Sequence, residues 1–228
     1  MLSTPVAVTS GEVSLAGDLT VPDAATGVVL FAHGSGSSRQ SPRNQAVAAT
    51  LREAGLGTLL FDLLTPDEEA EDAVTGIHRF DIALLGRRLT GAVDWLAARA
   101  SDVPLGLFGA STGAAAALVT GAERPELVRA VVSRGGRPDL AGDQALEQVR
   151  APVLLLVGGR DEVVLQLNRE AQAKLRAPSR LQVIEGATHL FEEPGALDQV
   201  AVAAARWFSD MGRAPDTDRG DDEGRAQQ

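Results

Sequence analysis

Four short stretches carry side chains that can do chemistry together: His33-Gly34-Ser35-Gly36, Gly109-Ala110-Ser111-Thr112-Gly113, Asp161 and His189. A serine hydroxyl is a weak nucleophile until a base takes its proton, and the imidazole that does so needs a carboxylate to fix its tautomer and offset its charge. Glycines on both sides of Ser111 suit a sharp strand-to-helix turn. Such a turn strains the serine backbone and leaves the hydroxyl exposed, with the Thr112 N–H at the positive end of a helix, where it can hold an oxyanion. The pentapeptide alone is weak evidence, because so small a pattern recurs by chance. Of the three histidines, His189 is the expected base. It follows the last strand-like run, whereas His33 precedes a glycine-rich loop and His78 opens a helix. Asp161 follows the preceding apolar run and is the expected acid, in the chain order Ser, Asp, His; Asp139 is the alternative.

Elements that can position these groups follow from hydrophobic periodicity. Residues 5–22 read as a strand pair, Val6–Val8 and Leu15–Val21, ending at Pro22. Continuous apolar runs at 27–32, 57–63, around Leu105, 127–132, 152–157 and 181–184 read as buried parallel strands. Between them lie helical patterns. Ser41 followed by Pro42 is a helix start, with Gly55 as its stop. Further helices are expected over 77–100, 112–122, 143–149, 162–176 and 194–207. The acidic stretch 65–75 is expected to be a solvated loop rather than a calcium site, and His78, Arg79 and Asp81 to be packing and surface groups. Strands alternating with helices predict an α/β fold: a mostly parallel sheet of about eight strands, the first antiparallel, with helices on both faces. Reactive groups then gather beyond the carboxyl ends of the strands.

Composition excludes other chemistry. The chain has 228 residues, no cysteine and a formal net charge of −10. It therefore lacks a disulfide framework, a zinc-thiolate site and a cysteine nucleophile, and its acidic balance argues against nucleic-acid or anionic-membrane partners. Lys174 is the only lysine, which removes a phosphate-loop lysine from consideration. The start of the chain has no secretory pattern and no stretch is long enough for a membrane span, so a cytoplasmic location is expected. Residues 1–210 read as one domain and 211–228 as a polar, disordered tail. His33-Gly34-Ser35-Gly36 also resembles a phosphate-binding turn, but the dinucleotide pattern fails at Arg39. Arg134 and Arg137, after the sixth strand, suit bidentate capture of a substrate carboxylate; the alternative is that they are solvated or structural.

Taken in order, His33-Gly-Ser-Gly, Phe61-Asp-Leu-Leu-Thr-Pro-Asp-Glu-Glu, Arg79-Phe-Asp, Gly109-Ala-Ser-Thr-Gly, Val157-Gly-Gly-Arg-Asp and Gly186-Ala-Thr-His-Leu-Phe resemble an α/β-hydrolase of the dienelactone-hydrolase-like kind. The sequence resembles in particular serine-type members found fused or adjacent to phosphoribosyltransferase domains, and the resemblance spans Gly27 to about Phe208. It implies Ser111 as nucleophile, Asp161 as acid and His189 as base, with an oxyanion hole from the N–H groups of Ser35 and Thr112 and no metal or organic cofactor. The implied activity is hydrolysis of a small ester, thioester or lactone. Acyl transfer and a non-catalytic module serving a phosphoribosyltransferase-like partner are the alternatives. Dienelactone hydrolase proper uses a cysteine, absent here, so its substrate does not carry over. The short span from Ser133 to Pro152 leaves no room for a large lid, and the oligomeric state is left open.

Overall fold

The computed structural model describes residues 3–100 and 103–211. Strands β1 (Thr4–Ser10), β2 (Val13–Thr20), β3 (Val28–Ala32), β4 (Gly57–Phe61), β5 (Leu105–Ala110), β6 (Val128–Arg134), β7 (Val153–Gly158) and β8 (Ser179–Ile184) form one sheet in the order β1-β2-β4-β3-β5-β6-β7-β8. The first pairings, β1 with β2 and β2 with β4, are antiparallel, and every later one is parallel. The expected α/β fold is therefore the observed one. Strands β3, β4, β5 and β7 are buried at every residue, as continuous apolar runs covered on both faces must be.

Helices α1 (Pro42–Glu53), α2 (Pro66–Thr75), α3 (Ile82–Ala97), α4 (Thr112–Glu123), α5 (Asp143–Gln148), α6 (Glu162–Lys174) and α7 (Ala196–Ser209) connect the strands. Odd and even strand positions feed two cores. Leu30, Leu59, Leu107, Val131 and Leu155 pack with Leu89 and Val93 of α3 and Ala116 and Ala117 of α4. On the other face, Val29, Phe31, Phe108 and Val132 pack with Val47 and Leu51 of α1 and Val200, Ala204 and Phe208 of α7. Met211 belongs to this second core, so burial extends one residue into the expected tail; residues 212–228 lie outside the described residues. Among the described residues no helix is long and apolar enough to cross a membrane.

Helix boundaries follow their caps. The Ser41 hydroxyl accepts the Asn44 N–H, with Pro42 at the first helical position, the start expected of α1. Asp81, rather than a residue near Ile77, begins α3, because its carboxylate accepts the Leu84 N–H. The acidic stretch 65–75 is not a loop: it is α2, closed by a reciprocal capping box in which Thr65 accepts the Glu68 N–H and Glu68 accepts the Thr65 N–H. Three acidic residues in its first turn suit the positive helix end.

Asp72 ties α2 to the start of α3. Its buried carboxylate accepts the N–H groups of His78 (2.8 Å) and Arg79 (2.9 Å) and the Arg79 Nε (2.7 Å). His78 and Arg79 are thus ligands of a buried carboxylate rather than generic surface groups. Burial alone would raise the Asp72 carboxyl, but these N–H groups and the Arg79 charge hold it below its ordinary value. Asp72→Ala leaves two backbone N–H groups without this acceptor and is expected to cost about 2–3 kcal/mol, read by urea unfolding. The sign with pH follows from the lowered value. The contribution is full above the unfolded carboxyl value of about 3.9 and is lost as pH falls through the lower folded value, so the gap between wild type and variant should close in acid.

Candidate active site

Ser111 stands between β5 and α4 at φ 51° and ψ −119°, a conformation that costs a non-glycine residue about 1–3 kcal/mol. The elbow is held on both sides: the Ser111 N–H donates to the Arg134 carbonyl (3.2 Å) and the Ser111 carbonyl accepts from the Arg137 N–H (3.1 Å). Although Ser111 occupies the N-cap position of α4, its hydroxyl makes no capping bond. Thr112, first in the helix, has no intrahelical acceptor for its N–H. At Gly113 the helix comes so close to β3 that a Cβ would stand 2.2 Å from the Ala32 carbonyl and 2.5 Å from that of His33. Only glycine allows that approach.

The same approach brings the loop after β3 to the elbow. A Cβ on Gly34 would lie 3.1 Å from the Ser111 Cβ, which sets Ser35 next to the candidate nucleophile. Two side chains fix the loop. Buried His33 accepts the Leu63 N–H at Nε2 (3.0 Å) and meets the Gly34 carbonyl at Nδ1 (3.0 Å). Because Nε2 accepts, the ring proton sits on Nδ1, giving one neutral tautomer. Burial lowers the His33 pKa, outweighing the Gly34 carbonyl and the charges of Asp62 and Glu69. Arg39, the residue at which the dinucleotide pattern fails, pairs with Asp62 through its guanidinium and backbone N–H and with Asp18 at 3.2 Å. It therefore anchors the loop to the end of β4 and to β2.

Asp161 and His189 follow neighbouring parallel strands, β7 and β8. Their loops are stitched together by backbone bonds, Gly159 N–H to Ile184 (2.9 Å) and Arg160 N–H to Ala187 (2.9 Å). A Cβ on Gly158 would stand 2.4 Å from the Ala187 carbonyl, so glycine is needed for this contact too. The result is a 2.6 Å bond between His189 Nδ1 and Asp161 Oδ2. Asp161 occupies the N-cap of α6 but makes no capping bond; its carboxylate turns to the imidazole. Asp139 is occupied elsewhere, gripped by Arg137 at 2.9 and 2.7 Å.

Of the two strand-end arginines, Arg137 is thus neutralised by Asp139, whereas Arg134 is the last residue of β6, buried, with Nε and Nη1 lacking a partner among the described residues. Beside Thr112 a pocket opens, lined by the 33–38 loop together with Leu64, Glu69, Asp72 and Arg79. Helix α2 is one of its walls. Sequence reasoning did not foresee the Arg39–Asp62 and Arg79–Asp72 pairs here; the Thr65-Pro66-Asp67-Glu68 capping box was the available signal for α2. Among the described residues, no group of three or more His, Asp or Glu side chains is arranged to hold a metal ion.

A family profile described as an alpha/beta hydrolase domain matches residues 25–205. A Mycobacterium tuberculosis protein named as a phosphoribosyl transferase is 58% identical over 207 residues, covering 90% of this chain and 46% of its own length. The chain spans about half the length of the curated relatives it matches. A solved dienelactone hydrolase from Anabaena variabilis is 57% identical, covers 91% of this chain and 97% of its own, and superposes with a TM-score of 0.89. Est1E from Butyrivibrio proteoclasticus, 16% identical over 91% of this chain and 98% of its own, shares the fold with a TM-score of 0.74.

The lowered His33 pKa makes the loop sensitive to acid. Unfolded histidine binds its proton at about 6.5 whereas folded His33 resists doing so, so its contribution to stability is present above that value and is lost as pH falls below it. Urea unfolding between pH 7.5 and 5 should show wild-type stability dropping, with a shallower slope in His33→Asn. Equal slopes would remove His33 from this role.

Proposed function

The chain belongs to the alpha/beta hydrolase family, and we propose that it is a serine hydrolase cleaving a small ester, thioester or lactone through an acyl-enzyme. The observation that carries this reading is the 2.6 Å His189–Asp161 bond, made by a carboxylate that leaves its own helix uncapped. With Nδ1–H held by Asp161, the lone pair on Nε2 is free to accept the Ser111 proton. Ser111 Oγ attacks the acyl carbon, and the developing oxyanion is received by the N–H groups of Thr112 and Ser35. His189 returns the proton to the leaving oxygen or sulfur. Water, deprotonated by the same imidazole, then attacks the ester of Ser111, and the acid departs as the serine proton is restored. The strained Ser111 backbone supports this assignment, since such strain persists where the surroundings over-determine it.

A second reading has one observation in its favour. The relatives that carry a phosphoribosyl transferase name are about twice the length of the match, which suits a hydrolase-fold domain working beside another domain, as catalyst or as binding module. Covalent labelling separates the two. Ser111→Ala should abolish reaction with a fluorophosphonate and lower turnover of a short activated ester by about a millionfold, while Asp161→Asn should cost about ten-thousandfold. Normal turnover by folded Ser111→Ala overturns the mechanism, and folded wild type that neither labels nor hydrolyses moves the binding module ahead.

A further inference from the structure

Arg134 poses an electrostatic problem that the proposed hydrolysis does not use. It is 8% exposed, and its Nε and Nη1 are buried without an acceptor. A buried guanidinium is ordinarily paired, because removing its charge from water costs far more than removing a neutral group. Here the charge acting on it is another cation, Arg43, in the first turn of α1. Burial first, and Arg43 second, push Arg134 down to about 10, so it stays cationic at neutral pH. Among the described residues Arg43 itself pairs with Glu192 at 3.3 Å, and its Nε is buried without an acceptor as well.

The location ties this cation pair to the candidate active site. Arg134 sits opposite Ala110 in the sheet register, and its carbonyl holds the Ser111 N–H. The next residue, Gly135, lies under His189: a Cβ there would be 3.2 Å from the His189 carbonyl and 3.5 Å from its Nδ1. Strand alternation directs Arg134 to the side of Ala130 and Val132, which face α1 and α7. The pocket beside Thr112 is lined instead by the 33–38 loop, α2 and Arg79. The two regions have different chemistry: Arg79 in the pocket is matched by Asp72, whereas no carboxylate among the described residues pairs with Arg134. Water can accept from its N–H groups but cannot balance its charge. An oxyacid group can do both, in the bidentate geometry a guanidinium favours.

Building on the serine-hydrolase reading, we propose that Arg134, with Arg43 beside it, is an anion subsite of the Ser111 centre and that the substrate is an acyl compound bearing a carboxylate or phosphate group. The positive spot is local, since the chain as a whole carries a net charge of −10. Long-range attraction therefore adds little, and recognition rests on contact.

The test compares kcat/KM for mono-p-nitrophenyl succinate with that for p-nitrophenyl butyrate, a neutral ester of the same acyl length. Wild type should prefer the anionic ester, and Arg134→Gln should lower the anionic-to-neutral ratio by about 30-fold or more. A ratio unchanged by the substitution, or a wild type that prefers the neutral ester, overturns the subsite. Turnover of the butyrate alone upholds the hydrolase reading in that event, so the two failures are distinct. Should Arg134→Gln fail to fold, inhibition of wild-type butyrate turnover decides. Competition by succinate supports a carboxylate ligand, competition by inorganic phosphate supports a phosphate ligand, and no competition by either overturns the proposal. If no ester is turned over, the same two anions are tested as thermal stabilisers of wild type. A rise in Tm that Arg43→Gln abolishes supports the subsite, and no rise overturns it.

Discussion

Holding Ser111 at φ 51° and ψ −119° costs about 1–3 kcal/mol, and the restraint that offsets this comes from the middle of the sheet. Strand β5 is hydrogen-bonded on both sides, to β3 and β6, so its end cannot swing away to relax the serine. Helix α4 is pressed onto the end of β3 through Gly113, and its small residues Ala114–Ala117 are wholly buried. The serine is strained because strand and helix are each held by larger interactions than the strain itself. Its neighbours at the rim, the His33 loop and the Arg134 carbonyl, are placed by those same two strand pairings.

The remaining groups arrive through separate local devices of one kind. Each loop at the carboxyl rim is pinned by a polar side chain or a backbone bond to the adjacent strand end: His33 to the Leu63 N–H, Arg39 to Asp62, the 159–160 turn to the 184–187 turn. Loops on a protein surface are otherwise its most mobile parts. Pinning each one to the sheet sets Ser35, Asp161 and His189 in fixed relation, which is what the proposed electrostatic catalysis requires.

How much of this could be read from the residues depends on the range of the signal. Buried parallel strands announce themselves as apolar runs, and α1 carried both of its punctuation marks, Ser41-Pro42 and Gly55. The strand-end positions of Asp161 and His189 were legible because each comes shortly after such a run. Helix α2 was not, since its acidic composition outweighed a capping box that periodicity does not report. Arg39 and Asp72 were illegible for a deeper reason. Asp62 meets Arg39 through the path of the chain across the sheet, and Arg79 meets Asp72 through the turn between α2 and α3; charge patterning along a sequence says nothing about which carboxylate a given arginine will meet. Arg134 showed the reverse difficulty. The strand running through Arg134 instead of stopping near Val132 is what turns a solvated residue into a buried one.

The pairing of β7 with β8 also fixes the range over which Asp161 meets His189. Asp161 and His189 are 28 residues apart and meet through the parallel pairing of the last two strands, across a crossover that contains α6. The serine elbow, by contrast, is assembled from β3, β5, α4 and the end of β6. The serine turn and the Asp161–His189 pair thus rest on different strand pairings, the first at the centre of the sheet and the second at its β8 edge.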